Sequence, residues 1–148
     1  GIDAVVTPGV TAATGCAAAA GLPLTHRDFS QAVTFATGHA KDGAEPDLDW
    51  EALARLGQTL VVYMGAGKAG AIASKLIEAG RAPGTPAAII ENGTRANQKI
   101  LKGSLDDLGR LAAEGDITGP ALLVIGETAA RADGAGLLDL ARLERSAA

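Results

Sequence analysis

The 148-residue chain has few of the residue types that usually mark catalytic, metal or nucleic-acid sites. Its single cysteine, Cys16, excludes an internal disulfide, and with only two histidines, His26 and His39, the sequence offers no set of metal ligands. Aromatic residues make up 3%, which leaves no stacking platform for single-stranded nucleic acid. The formal net charge of -4 also argues against nucleic acid, because phosphate binding requires clustered Lys and Arg. We therefore expect neither a metal nor a nucleic-acid partner.

Long apolar runs are also missing from the sequence. No apolar stretch reaches the roughly 20 residues that a membrane-spanning helix needs, and no basic-then-apolar signal peptide opens the chain. Together with the single cysteine, these features predict a cytoplasmic protein without a membrane partner. The chain begins at Gly1, without methionine, and runs almost at once into a predicted strand, so we expect a fragment or the product of a cut.

The abundant residues are aliphatic: hydrophobic residues account for 47%, and 20 glycines separate the apolar segments. Short segments rich in β-branched residues predict strands at residues 4–7, 31–38, 59–64, 87–91, 98–103 and 121–126. Helical spacing between capping residues and glycines predicts helices at residues 11–20, 50–56, 68–79 and 105–113, the last of them capped by Ser104. Residues 41–49 are predicted to form a polar loop. The alternation predicts an α/β fold with a largely parallel or mixed sheet flanked by helices.

The segment Gly65-Ala66-Gly67-Lys68-Ala69-Gly70 has the spacing of a dinucleotide-binding fingerprint. It follows a predicted strand and opens a predicted helix, where backbone N–H groups could hold a pyrophosphate. Glu91 ends the next strand, where an acid could meet a ribose hydroxyl. In a Rossmann unit this motif follows the first strand, whereas here two strands and two helices precede it. An oxidoreductase fragment that binds a dinucleotide is thus the alternative, beside glycines that only turn a strand into a helix.

A series of longer motifs points to a different function. In chain order they are PGVTAA (8–13), GLPLTHRD (21–28), TGH (37–39), DLDWE (47–51), YMG (63–65), ENGT (91–94) and the strand after GP (119–120). The set covers residues 1 to about 128, in order and at compatible spacing. On these motifs the chain resembles the second half of the uroporphyrinogen-III C-methyltransferases, tetrapyrrole methylases that use S-adenosylmethionine as cofactor.

The resemblance implies a division of the chain into three parts. Residues 1–24 would be the end of the N-terminal methylase domain with a crossover helix, and residues 25–130 the C-terminal α/β domain of the two-domain methylase fold. Residues 131–148 would be a tail whose leucines cap the core or join a dimer interface. The glycine-rich motifs of the family's first half, GxGPGD and GGDP, do not occur. We therefore expect the other wall of the cofactor cleft to lie outside this chain, and the chain alone to lack a complete cleft.

The same resemblance implies a set of cofactor contacts, which are Thr11, Ala12, Met64, Gly93, Pro120 and Ala121. Thr11 would supply a hydroxyl, Met64 would pack on the cofactor, and Gly93 would let the backbone approach it closely. Pro120 and Ala121 would contribute to the adenine end. Each residue also has a simpler interpretation: Thr11 caps a helix, Met64 fills the core, and Gly93 holds the positive φ of an Asn-Gly turn.

Other polar residues are weaker candidates. Arg27 could bind an acetate or propionate arm of the tetrapyrrole, and His26 could move protons, but a salt bridge within the loop is the simpler outcome. His39 is most simply a turn residue, and Cys16, among alanines, is predicted to be buried and unreactive.

The implied activity is transfer of methyl groups from S-adenosylmethionine to two ring carbons of uroporphyrinogen III, which yields precorrin-2 for sirohaem or cobalamin synthesis. The implied assembly is a homodimer. No catalytic residue is assigned, because an electron-rich pyrrole carbon attacks an already activated methyl. Positioning and one later proton removal are then enough.

Overall fold

The computed structural model describes residues 1–41, 46–55 and 57–132. Its strands are β1 (Val33–Thr37), β2 (Thr59–Tyr63), β3 (Pro86–Glu91), β4 (Lys99–Ser104) and β5 (Ala121–Ile125). Its α-helices are α1 (Ala12–Ala19), α2 (Trp50–Arg55), α3 (Ala69–Glu78) and α4 (Leu108–Glu114). Short 3-10 turns lie at Ala66–Lys68 and Glu127–Arg131. The predicted tail from residue 133, residues 42–45 of the predicted loop and Leu56 lie outside the described residues.

The strands form one mixed sheet in the order β1-β2-β5-β3-β4. Only β1 and β2 pair in parallel; β5 runs antiparallel to both β2 and β3, and β4 runs antiparallel to β3. The prediction of a mixed sheet is confirmed, whereas a largely parallel one is not. Because β5 returns between β2 and β3, three strand ends and two strand beginnings meet at one border of the sheet. We call this border the site edge; it follows Thr37, Tyr63 and Glu91, and precedes Lys99 and Ala121.

The predicted strand at residues 4–7 is wrong. Residues 1–10 have no regular secondary structure, and Val5 and Val6 are 91% and 92% exposed. Valine favours a pleated surface that is half buried against neighbours, and an unpaired strand is not stable in water. No strand among the described residues lies beside this segment, so the β propensity of its valines is not supported by strand pairing.

Helices cover both faces of the sheet. Side chains alternate along its central strands, so each face presents apolar side chains to the helices. Leu60 and Val62 belong to the hydrophobic cluster that includes residues of α2, α3 and α4. Val61, on the same strand, belongs to the cluster on the α1 face. Small residues of α1 pack there, so this helix is seated directly on the sheet. The assignment of residues 1–24 to another domain remains a prediction.

The helix ends follow local capping chemistry, with one correction. Thr11 caps α1, as predicted, and the Asp49 side chain accepts from the Ala52 N–H (2.9 Å) at the start of α2. Ser104 was expected to cap a helix from residue 105, but its hydroxyl donates to Asp107 (2.6 Å) and α4 begins only at Leu108. A serine that bonds to a nearby carboxylate stabilises a turn instead of a helix start.

Candidate functional site

Met64 occupies an unusual backbone conformation at the site edge. It follows β2 with φ 54°, and its side chain is 63% exposed, so the interpretation of Met64 as a core residue is wrong. A non-glycine residue in the left-handed region costs free energy and persists only where the surroundings enforce it. Here an apolar side chain is held out into solvent at the end of a buried strand.

The turn after β1 enforces that conformation. The Gly38 N–H donates to the Tyr63 carbonyl (2.7 Å), and a Cβ on Gly38 would lie 2.5 Å from the Gly65 Cα. His39 Nδ1 lies 2.9 Å from the Met64 carbonyl oxygen, which can only accept, so Nδ1 carries the hydrogen. The Thr37-Gly38-His39 motif is therefore packed onto the Tyr63-Met64-Gly65 motif. His39 is more than a turn residue, because its ring bonds to the Met64 carbonyl.

Thr11 joins the N-terminus of α1 to the same place. Its hydroxyl forms a hydrogen bond with the Tyr63 hydroxyl, and the Ala13 N–H donates to both, at 3.1 Å to Thr11 and 2.9 Å to Tyr63. Ala12 is the exposed first residue of the helix beside this pair. The sequence shows the cap, but it gives no sign that a tyrosine 52 positions away shares it.

Gly93 packs against Cys16 of α1. A Cβ at Gly93 would lie 2.2 Å from the Cys16 Sγ, and the positive φ angles of this turn belong to Asn92 (51°) and Thr94 (69°). The interpretation of Gly93 as the positive-φ residue is therefore wrong; glycine is required because a helix lies against it. Burial raises the pKa of the Cys16 thiol, which fits the predicted unreactive cysteine.

The turn before β5 completes the site edge. Its Pro120 carbonyl accepts from the Asn92 N–H (2.9 Å), and the Glu91 carboxylate accepts from the Thr118 and Gly119 N–H groups (2.7 and 2.6 Å). Pro120 is exposed and Ala121 half-buried at the first position of β5. Glu91 is consequently committed to the protein's own backbone.

The structure brings the six predicted cofactor residues to one border of the sheet, although they come from four separate segments of the chain. Arg27 and His26 are not among them. They lie in the loop before β1, whose Ser30 hydroxyl bonds to the Thr59 hydroxyl (2.7 Å) at the opposite end of β2. His26 Nδ1 is 3.6 Å from the Asp28 carboxylate and accepts from the Asp28 N–H (3.3 Å), so the contacts of this imidazole lie within its own loop.

Packing accounts for one of the three fingerprint glycines, because a Cβ at Gly65 would lie 2.9 Å from the Leu123 side chain. A Cβ at Gly70 would make an ordinary contact with the Gly109 Cα at 3.5 Å. Gly67 has open space around it. With Glu91 bonded to backbone N–H groups, the acid expected for a ribose is already occupied. Within the described residues, no group of three or more metal-binding side chains occurs, and no helix is long and apolar enough to cross a membrane.

The structure is an α/β domain with a mixed five-stranded sheet whose turns converge on one border. A comparison with protein families shows to which family the chain belongs. Residues 1–109 match the tetrapyrrole (corrin/porphyrin) methylases. The chain belongs to this family of methyltransferases, which confirms the resemblance seen in the motifs. Neither this match nor the relatives support the dinucleotide interpretation.

Siroheme synthases are among the curated relatives. The chain is 53% identical to that of Pseudoalteromonas translucida over 125 residues, which cover 84% of this chain and 26% of the relative. It is also 53% identical to that of Pseudomonas fluorescens over 127 residues, 86% of this chain and 27% of the relative. The chain thus spans about a quarter of the length of these relatives.

Solved structures agree on the fold. The uroporphyrin-III C-methyltransferase from Thermus thermophilus, in complex with S-adenosylhomocysteine, is 35% identical, with a TM-score of 0.68 over 83% of this chain and 52% of its own. A cobalt precorrin-4 methyltransferase has a TM-score of 0.74 at 24% identity, over 82% of this chain and 51% of its own, and supports the fold alone. The predicted second-domain methylase fold is confirmed.

Proposed function

We propose that this chain is the C-terminal part of a uroporphyrinogen-III C-methyltransferase, which methylates uroporphyrinogen III with S-adenosylmethionine to give precorrin-2. The convergence of the predicted cofactor residues at the site edge carries this proposal. The Thermus relative with bound S-adenosylhomocysteine supports the choice of cofactor, and the siroheme synthases support a route to sirohaem. Cobalamin synthesis is the other pathway that precorrin-2 would serve.

The residues at the site edge fit a nucleoside with an apolar tail. Met64 presents an exposed thioether, which is soft and adaptable in contact with flat or irregular ligands. Thr11 offers a hydroxyl at the start of α1, and the turns around Gly93 and Pro120 offer backbone groups. We propose that Thr11, Ala12, Met64, Gly93, Pro120 and Ala121 form this chain's half of the cofactor site.

Positioning is the main contribution of these residues to the reaction. When bound, S-adenosylmethionine supplies an activated methyl group on its sulfonium sulfur. His39 and Gly38 hold the Met64 turn in a single conformation, and Thr11 with Tyr63 fixes the start of α1 against it. A rigid surface of this kind orients a ligand without the entropy cost of ordering loops at each turnover.

The substrate, the assembly and the location extend the proposal. Arg27 is exposed and could bind a carboxylate of the substrate. Because Arg27 lies at the opposite end of the sheet, the substrate would be held there by another part of the protein or by another subunit. A homodimer in the cytoplasm is the proposed state of the whole protein. The exposed apolar side chains Ile2, Val10 and Phe35 support burial against another polypeptide surface.

Calorimetric titration of S-adenosylhomocysteine and of NADH tests the proposal, after circular dichroism has shown that the chain is folded. We expect S-adenosylhomocysteine to bind, and to bind more weakly to Met64→Ala but equally well to Lys102→Ala, on a strand remote from Met64. A chimera with the N-terminal half of the Thermus enzyme supplies the other wall if the chain alone does not bind. NADH binding, or a folded chimera that binds neither ligand, would overturn the proposal.

A further inference from the structure

Glu91 is a buried carboxylate, 2% exposed, for which the proposed reaction has no use. Its Oε1 accepts both the Thr118 and Gly119 N–H groups, and its Oε2 lies 3.3 Å from the Lys99 Nζ. These charge-assisted bonds hold the carboxylate ionised, and the backbone N–H of Gly119 contributes most to lowering its pKa. An ionised group at this depth is retained only if its partners stay in place.

The two backbone partners of Glu91, Thr118 and Gly119, belong to the segment that leads into β5, whereas its charged partner Lys99 lies on β4. Lys99, at the start of β4, also donates to the carbonyl oxygens of Gly115 (2.7 Å) and Asp116 (3.3 Å). The side chain of Glu91 and the ammonium of Lys99 therefore hold both ends of residues 115–119. This segment has no regular secondary structure of its own apart from turns, so these bonds hold it in place together with the packing of Ile117 against the core.

Asn92, the residue after Glu91, contacts the turn before β5 directly. The Asn92 N–H donates to the Pro120 carbonyl, and a Cβ on Gly119 would lie 2.4 Å from the Asn92 Oδ1. The turn that contains Gly93 and the turn that contains Pro120 are thus in direct contact. A change at Glu91 would alter the spacing between them.

We propose that Glu91 is a positioning residue: it fixes the turn at residues 118–120 against the turn at residues 92–94, so that both present their backbone groups to the nucleoside part of the cofactor at one spacing. This inference rests on the proposed function, because it assigns these two turns to the same ligand. It also gives Glu91 a role unlike that of a ribose-binding acid, since the carboxylate bonds the protein and not the ligand.

Three variants separate the hydrogen bonds from the charge. Glu91→Ala removes both, and amide hydrogen exchange at Thr118 and Gly119 should accelerate at least about tenfold, with a similar loss of S-adenosylhomocysteine affinity. Glu91→Gln keeps an Oε1 acceptor but turns an amide N–H₂ toward the Lys99 ammonium, so a smaller loss is expected. Adding Lys99→Met removes the opposing donor but also the bonds to the Gly115 and Asp116 carbonyls, so the bonds at Thr118 and Gly119 and part of the affinity should return. Glu114→Gln, on the exposed face of α4, is the matched control.

The outcomes distinguish this inference from the proposed function. If exchange accelerates but the affinity for S-adenosylhomocysteine is unchanged, Glu91 is only structural and the inference fails while the proposed function stands. If Glu91→Ala does not fold, the Gln variant and its Lys99→Met rescue decide, because a rescue of thermal stability without one of affinity contradicts positioning. If the wild-type chain and the Thermus chimera bind no S-adenosylhomocysteine, the proposed function fails, and the inference with it. Unaltered exchange at Thr118 and Gly119 in every variant would refute the attachment itself.

Discussion

Replacing Gly93 by alanine tests whether α1 is locked onto the turn that follows β3. The added Cβ would lie 2.2 Å from the Cys16 Sγ, 3.1 Å from its Cβ and 3.4 Å from its Cα, whereas carbon contacts are optimal at about 3.5–4.0 Å. The φ of Gly93 is not positive, so alanine does not meet the penalty of the left-handed region there. The cost is therefore steric, and overpacking of this kind destabilises by about 1–3 kcal/mol.

Rotation of the Cys16 side chain can move the sulfur but not its Cβ, which would stay 3.1 Å from the added carbon. Cys16 lies in the middle of α1, whose first turn is tied to Tyr63, so relief of that contact requires a shift of the helix. For a domain of this length, each kcal/mol lowers the melting temperature by about 2–4 °C. Urea unfolding of Gly93→Ala should accordingly give a lower midpoint with an unchanged slope.

A double-mutant cycle identifies the contact that carries the cost. Cys16→Ala removes the sulfur that lies closest and leaves only a Cβ at 3.1 Å, which must yield by a few tenths of an ångström. The double variant should then recover about 1–2 kcal/mol relative to the sum of the single changes. Gly67→Ala is the control, since nothing lies within 4 Å of its Cβ position. Additive effects, or a cost for Gly93→Ala no larger than that of Gly67→Ala, would refute the reasoning.

Two further predictions concern a pKa and a turn. The Ser104 hydroxyl, with Arg110 next, lowers the pKa of Asp107 to about 2. The stabilisation that Asp107 provides is thus complete above the ordinary aspartate pKa of about 3.9 and is lost as the pH falls through about 2. The urea midpoints of wild type and Asp107→Asn should differ at pH 5 and converge by pH 2; a constant difference would contradict this. His39→Ala should release Met64 from φ 54°, which the H–N–Cα–H coupling of Met64 reports by NMR, whereas His39→Asn, whose amide can replace Nδ1–H, should preserve it.

The sequence predicts the elements of this fold better than their arrangement. Periodicity and capping residues locate α1 and β2 to within a residue or two, because those signals are local. The position of β5 between β2 and β3 is not local, since it depends on which strands bury the most apolar surface together. The strand predicted at residues 4–7 fails for the same reason: its partner would have to come from elsewhere.

The candidate site shows the same division. The motifs point to Met64 and Gly93, but neither the positive φ of Met64 nor the contact of Gly93 with Cys16 can be read from spacing. Glu91 is the clearest case, because its place at the end of a strand suggests an acid for a ribose. Only the folded chain shows that its carboxylate meets Thr118 and Gly119, 27 and 28 positions away.

The central place of β5 has a consequence for the order in which the chain can fold during synthesis. The ribosome makes β2 about sixty residues before β5, or several seconds at roughly 5–20 residues per second. Until β5 is available, β1 with β2 and β3 with β4 are two separate ribbons, and the borders of β2 and β3 that β5 later covers are unpaired. β5, the last strand among the described residues, therefore joins the two ribbons and assembles the site edge in a single late event. A nascent chain stalled before residue 121 would expose two apolar strand borders to chaperones or to neighbouring chains.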